Sequence, residues 1–590
     1  MVTAECRLGH QRQRVNKVEI REYLTTNERA LTKFRTNLEE KWSREGANNV
    51  TEMLDDMEKV AERTLKRRRR EETLEDGEKR EKPWISENTK RDIKKRNELN
   101  RAKRNEKDKA AAERLTKRWK EQKYKVQQMV KKELEEHEIN VTNEIKSGTD
   151  RQKKLWKNLN KLRGKENKNE DDFKVFDEAG KEIDKITSGK LAGEHWGQIY
   201  RAHNNDITEI WGEEVMEEML AKNKKEEEEI KGLIQTREHL DMAMKVDPIV
   251  PAMEESKMDK EKITDKIRNG LKTKKSGGTT MLKSEVYKEI EKSEVCMDTV
   301  SRCYRDVIDN RNIPERWKES RTKLIPKKKK TTIKDFRPIA LTNISYKIFM
   351  SILKDEIEDH LEKSLLTKDN QTGFTKGGKK EDNLFMLQYL VGKAYKNKKP
   401  LILIAIDYSK AYDSLDRKKL IEALMEYKIH PHIIDIIAKL YQGDHTKIKI
   451  GDSEEKIDIS SGIKQGCTLS TTLFKIVTYL IIKELENKGR GYKVDDIILQ
   501  SLYFADDSIL AAESIEDARH NLNILIEVSK KFGLNINRDK CNVLIYNNHE
   551  EIKEIDNIKV VENIKYLGIT IDNKKDIFKT QKKYLIDSAQ

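Results

Sequence analysis

Five cysteines in 590 residues, Cys6, Cys296, Cys303, Cys467 and Cys541, are scattered and odd in number. They form neither a C-x-x-C pair nor a Cys/His cluster of zinc spacing, and no disulfide framework, so a reducing compartment is the natural reading. Eight prolines and 26 glycines are too few for a Pro/Gly-rich disordered or fibrous chain. No apolar run approaches the roughly 20 residues of a membrane span, and no secretory leader is present. The expected location is inside the cell, in the nucleus or the cytoplasm, with no membrane partner.

Charge is what the chain has in abundance. Charged residues make up 38%, and 121 Lys and Arg against 106 Asp and Glu leave a formal charge of +15. A balance of this size suggests a polyanionic partner, nucleic acid first and an acidic membrane surface second. The run "LKRRRR" at 65–70 reads as a nuclear import signal, a phosphate-contacting patch or a solvated helix face.

Up to about residue 290 the chain is mostly charged helix former, with sparse periodic apolar residues such as Trp119, Tyr124, Val126, Met129 and Val130. Such helices lie on one another or on nucleic acid and are not expected to enclose a large core. "DPIVPAMEES" (247–256) and "TKKSGGTT" (273–280) read as linkers. Beyond 290 the pattern changes. "PLILIAIDYSKAYD" (400–413) is a buried strand running into a polar turn, and "SSGIKQGCTLS" is a glycine-containing loop feeding an amphipathic helix. "QSLYFADDSILAAES" reads as two short strands, and "FGLNIN" follows a helix ended at Gly533. Strands and helices alternate loosely, which predicts an α+β sheet with helices on one face.

Asp506 and Asp507 stand side by side at the joint of the "SLYFA" and "SILAA" strands, and Asp407 ends the strand about a hundred residues earlier. A tight turn would account for Asp-Asp alone. If the strands are neighbours, three carboxylates converge and would not all stay ionised without counter-charge. Mg²⁺ prefers such oxygen donors, and two metals about 4 Å apart are the apparatus for in-line displacement at phosphorus.

In order, "AIDYSKAYD", "SGIKQGCTLS", "YFADD", "FGLNINRDKCNVL" and "YLG" resemble the motifs of reverse transcriptases. Upstream, "IPERWKESRTKLIPKKKK", "DFRPIALTNISYKIFMSIL" and "NQTGFTKGGKKEDNLF" resemble the fingers and fingers-to-palm segments of non-LTR, LINE-type retrotransposon enzymes. The resemblance covers about 300–572. It implies a right-hand polymerase fingers and palm, an antiparallel palm sheet backed by helices, and a charged, mostly helical N-terminal region before it. The divisions it implies are 1–20, the end of an endonuclease-like domain ("MVTAECRLG"); 21–245, a charged helical linker; 246–300, linker and lead-in helices; 301–400, fingers; 401–572, palm with the primer-grip hairpin; and 573–590, the start of a truncated thumb.

The same resemblance implies that Asp407 and Asp506 chelate two Mg²⁺ (or Mn²⁺) with Asp507 in support, and that Lys540 protonates the departing pyrophosphate. Tyr412 matches the steric gate against a 2′-hydroxyl. Gln465 and Gly466 match the loop that packs on the templating base, where glycine allows close backbone approach. Lys323 and Arg337 match the triphosphate cations of the fingers, and Tyr566, Leu567 and Gly568 match the hairpin that grips the primer. Asp413 reads instead as a helix N-cap. The expected partners are an RNA template, a DNA primer and dNTPs. A ribonucleotide polymerase is the nearest rival, although such enzymes commonly carry a second Asp where Tyr412 stands. A truncated remnant that binds nucleic acid with weak or no turnover, and an autonomous helical interaction module over 1–290, are rivals of other classes.

Overall fold

The computed structural model describes residues 28–65, most of 86–133, and 175–573 apart from 235–252 and shorter stretches, with backbone alone for 18–24 and 67–73. The chain divides into two units, one holding 1–22 and 69–172 and the other 23–68 with 173–590. In the first, helix Glu87–Asn105 pairs with helical residues 114–126 through polar contacts. Asp92 accepts a 2.7 Å hydrogen bond from Gln122 and pairs with Lys125 at 3.2 Å, while Lys103 sits 4.5 Å over the Trp119 ring. The "RRRR" run is not a helix face: Arg67–Thr73 is an extended strand.

The second unit begins with α1 (Glu28–Arg44) and α2 (Val50–Thr64). Apolar residues at helical spacing, Phe34 and Leu38 in α1 and Met53, Leu54 and Met57 in α2, are fully buried in the main core, packed with α5 (Glu294–Asp309). The expectation that the charged helices before residue 290 enclose no large core fails for α1 and α2. The stripe was narrow, yet full burial of each such side chain contributes about 1.5–3 kcal/mol. Further on, α3 (Lys185–Tyr200) lies across a four-stranded sheet, and α4 (Glu213–Ile234) packs near the palm helices. The expected linkers are docked as well. Met253 donates its backbone N–H to the Lys428 carbonyl, and Gly278 (φ +77°) lies so close to Thr342 that a Cβ would stand 2.2 Å from its carbonyl oxygen.

The fingers sheet is built from β1 (Glu319–Pro326), β2 (Phe336–Leu341), β4 (His445–Ile450) and β5 (Ser453–Asp458), in the order β2-β1-β4-β5 with β1 and β4 parallel. Its inner face, with Leu324, Phe336, Ile448 and Ile457, closes against Ala192, Trp196 and Tyr200 of α3. The palm sheet has the order β6-β7-β3-β8, all antiparallel, from β3 (Leu401–Ile406), β6 (Ser501–Phe504), β7 (Asp507–Ala512) and β8 (Asn542–Tyr546).

Both faces of the palm sheet are covered, which corrects the expectation of helices on one face. Ile402, Ile404 and Ile406 join the core of α7 (Thr468–Lys488) and α8 (Ile515–Lys531), while Leu401 and Leu403 face α6 (Lys380–Asn397). The hairpin of β9 (Asn563–Tyr566) and β10 (Ile569–Asp572) completes that second layer. A sheet buried on both sides needs continuous rather than alternating apolar residues, and that is how "LILIAI" reads. Among the described residues no helix is long and apolar enough to cross a membrane.

Candidate active site

Strand register brings the three carboxylates together. Ser508 of β7 lies opposite Ile406 of β3, so Asp507 and Asp407 follow at the same end of adjacent strands. β6 and β7 pair Phe504 with Asp507, leaving Ala505 and Asp506 as the two-residue turn. Asp407 is half-buried, and its backbone is fixed on both sides: its N–H meets Cys541 Sγ at 3.4 Å, and its carbonyl accepts from Asn537 at 2.8 Å. The "FGLNINRDKC" segment is thus a strap beneath the strand end. It also brings Lys540 Nζ to 3.7 Å from Asp407 Oδ2.

The electrostatics record this convergence. Asp506 and Asp507 are exposed at the turn, yet neighbouring protein displaces part of their water. That desolvation, together with the charges of Asp506 and Asp407, raises Asp507 to about 6. Asp506 is raised by desolvation and by Asp407, against the pull of Arg337 and Lys327. Three like charges at one strand end repel, and among the described residues no three His, Cys, Asp or Glu side chains are gathered at a metal-ligating point. The donor set itself, all carboxylate oxygen with each charge disfavouring the others, is of the kind that suits a hard divalent cation.

Two residues that sequence reasoning passed over set the turn. Ala505 has φ +61°, a left-handed conformation that normally selects glycine. It is held there by Gln371, buried under the turn. Gln371 Oε1 accepts from the Ala505 N–H at 2.9 Å, and Gln371 Nε2 donates to the Ala505 carbonyl at 3.1 Å and to Thr478 Oγ1 at 3.1 Å. Gly373 lies against the same turn, where a Cβ would stand 2.1 Å from the Ala505 nitrogen. The signal was present in "NQTGF", a glutamine and a glycine two apart in a segment already marked by resemblance, but nothing local says what they touch.

The remaining predicted residues fall around this end of the sheet. The Tyr412 ring stacks on Phe474 (4.7 Å between centroids, 14° between planes), its buried hydroxyl has no hydrogen-bond partner among the described residues, and the charge of Asp506 acts on it. Lys323 and Arg337 lie on one face of the β1–β2 pair, opposite Ile339 and Ile325. Gly466 (φ +115°) makes its close approach to the fingers backbone, since a Cβ there would stand 2.7 Å from the Ala340 carbonyl oxygen. Gln465 donates to Asp413 Oδ2 at 2.8 Å and accepts from the Ala340 N–H at 2.7 Å.

Two assignments change. Asp413 is not an N-cap. It is buried inside a short turn of helix, and burial pushes its carboxyl up to about 7 although Gln465 and Lys410 oppose this. The cap belongs to Asp416, which accepts from the Lys419 N–H at 3.1 Å. Tyr566 is buried, and its hydroxyl accepts a hydrogen bond from Asn383 at 3.0 Å, so its ring is core packing. The turn of the hairpin is formed by Leu567 (φ 48°), half-buried against the same core, and Gly568 (φ 84°), which is exposed.

The antiparallel palm sheet thus bears three carboxylates at one strand end, and Arg337 of the second sheet acts on Asp506. Residues 325–571 match the family model described as reverse transcriptase (RNA-dependent DNA polymerase). Over 281 residues the chain is 29% identical to the Retrovirus-related Pol polyprotein from type-2 retrotransposable element R2DM of Drosophila melanogaster, covering 44% of this chain and 25% of that protein. It is 27% identical over 233 residues to an R2 type-1 retrotransposable element polyprotein of Nasonia vitripennis, covering 39% and 22%. It is 27% identical over 198 residues to the transposon TX1 uncharacterised 149 kDa protein of Xenopus laevis, covering 33% and 15%. The matched stretch thus spans a quarter or less of these three relatives. A telomerase of Candida tropicalis is similar in structure at TM-score 0.32 and 13% identity, over 49% of this chain and 66% of that one. Over residues 325–571, less than half of its length, the chain is similar to reverse transcriptases and to retrotransposon Pol polyproteins.

Proposed function

We propose that the chain is an RNA-directed DNA polymerase that adds dNTPs to a primer 3′-hydroxyl on an RNA template. The observation that carries this is the β3–β7 register, which sets Asp407 beside Asp507 and the Asp506 turn. Asp407 and Asp506, with Asp507 in support, would hold Mg²⁺ or Mn²⁺. Two such ions would activate the primer hydroxyl and neutralise departing pyrophosphate.

Tyr412, pinned flat by Phe474, forms a floor under the incoming sugar that leaves no room for a 2′-hydroxyl. Arg337, within the field of Asp506, and Lys323 on the same face attract the triphosphate. Gln465 and Gly466 line the templating position, and the Gln465 amide is steadied by Asp413. Lys540, beside Asp407, is placed to give a proton to the leaving group. Leu567 and Gly568 present the hairpin tip to the primer. The basic surplus fits an RNA–DNA hybrid and a place of action in the nucleus or cytoplasm.

Primer extension on an RNA template under Mg²⁺ tests the reading, with dNTPs against NTPs and with Asp506→Ala and Asp507→Ala. Template-directed dNTP incorporation abolished by either substitution is the expected result. Preference for NTPs, or extension that survives both substitutions, overturns it.

A further inference from the structure

Helix α3 lies well before residues 325–571, in a stretch whose sequence suggested only a charged linker. It nevertheless touches two of the loops that form the site. Its last carbonyls moor the approach to Gly462, Gln465 and Gly466: Tyr200 O accepts from the Ser460 and Ser461 N–H groups at 2.8 and 3.0 Å, and Ile199 O accepts from Ser461 Oγ at 3.0 Å. One turn earlier it meets Lys410, which stands between Asp407 and Tyr412 with its backbone in the left-handed region (φ 51°). Lys410 Nζ donates to His195 Nε2 at 2.8 Å and lies 4.4 Å over the Trp196 ring.

The chemistry of these two contacts is the informative part. A lysine held by a carboxylate is neutralised by its holder. An imidazole acceptor and an indole face fix the ammonium in place and leave its charge whole. Burial and the nearby Lys410 charge keep His195 neutral, its pKa lowered to about 4, so the ring is an acceptor in the neutral range. Burial and the charges of Lys327 and Lys334 disfavour the Lys410 ammonium, lowering it to about 8, and Asp413 opposes them only in part, its own carboxyl being buried and bound to Gln465. An ammonium positioned by neutral groups, crowded by other cations and three residues from Asp407, calls for an anionic ligand.

We propose that α3 is part of the nucleotide site: His195 and Trp196 are positioning residues that hold Lys410 toward the phosphate groups of the incoming nucleoside triphosphate. This rests on the polymerase reading above and adds that the active unit extends upstream of the matched segment.

The test is equilibrium binding of dTTP to the full chain assembled with an RNA template and a dideoxy-terminated primer, which needs no turnover. Losing one charge-assisted contact predicts about tenfold weaker dTTP binding for Lys410→Ala and for His195→Ala. The double variant binds no more weakly than Lys410→Ala alone. His195→Gln, which restores a neutral acceptor, recovers most of the affinity, and primer–template binding and the melting temperature stay close to wild type. Unchanged dTTP affinity in His195→Ala, additive losses in the double variant, or no recovery in His195→Gln overturns the inference. A wild-type complex that binds no dTTP overturns the polymerase reading itself, so the two failures are distinguishable.

Discussion

The palm and fingers sheets are both four-stranded, and they carry opposite charge, with Arg337 of the fingers acting on Asp506 of the palm. The palm sheet is sealed on both faces by apolar layers and ends in Asp407, Asp506 and Asp507, whose mutual repulsion is built into the strand register. The fingers sheet is sealed on one face by α3 and carries Lys323 and Arg337 on a single face of the β1–β2 pair. Stored like-charge repulsion is tolerable on the palm because the rigid sheet absorbs it, and it readies the strand end for cations. Under the proposed function, the cations of the fingers need only reach a flexible polyanion. The difference then implies a division of labour, in which the palm governs the rate of chemistry and the fingers govern nucleotide affinity.

The comparison breaks most visibly at the carboxylates. Asp506→Ala is expected to lower the maximal rate of primer extension by at least about 10³-fold, since several kcal/mol of charge stabilisation is lost. The loss should appear in single-turnover rates with little change in dNTP affinity. A change confined to affinity would erase the division between the sheets. Gln371→Ala is next. Freeing Ala505 lets the Asp506 turn relax, and a misplacement near 1 Å costs about 10²-fold in rate. Gln371→Glu, which keeps an acceptor for the Ala505 N–H but loses the donor to its carbonyl, should fall between wild type and alanine in the same assay.

On the fingers side, Arg337→Ala should raise the KM for dNTP about tenfold, the worth of one charge-assisted contact, with the maximal rate held within a few fold. Steady-state titration of dNTP separates the two parameters. A fall in rate with unchanged KM would move Arg337 to the palm's side of the division.

The smallest effect concerns Asp413, which joins the two regions through Gln465. Its carboxyl titrates near 7 when folded against 3.8 in the unfolded chain. Between those values the folded state holds a proton that the unfolded state has released, so this group's contribution to stability falls as pH rises toward 7 and levels off above it. Asp413→Asn should flatten the decline in melting temperature between pH 5 and 7.5. The difference should be a few degrees at most, because about 1 kcal/mol moves the melting temperature of a 150–250-residue domain by ~2–4 °C and that of this larger unit by less. Scanning calorimetry of the two proteins across that range checks it, and parallel curves would remove Asp413 from the titration.

The palm was legible because its signals are local. "LILIAID" and "SLYFADDSIL" each combine a strand with a charged end, and short strands with a two-residue turn leave few ways to pair. The coverage of both sheet faces, the inward turn of Tyr566 and the burial of Asp413 were not legible, because each depends on what packs against the element rather than on its own pattern. The same holds for α1, α2 and α3. Their composition is that of solvated helices, and a few periodic apolar side chains became core only because a complementary surface existed hundreds of residues away.

The sequence by itself determined the chemistry available: which carboxylates end strands, which cations lie in the fingers segments, and that the chain as a whole favours polyanions. Only the tertiary structure decided which side chains hold that chemistry in place, among them Gln371 beneath the Ala505 turn and His195 against Lys410. The physical reason is range. Propensity and turn geometry act over a few residues, whereas a hydrogen bond between positions 134 or 215 apart in the chain exists only once packing has fixed both ends.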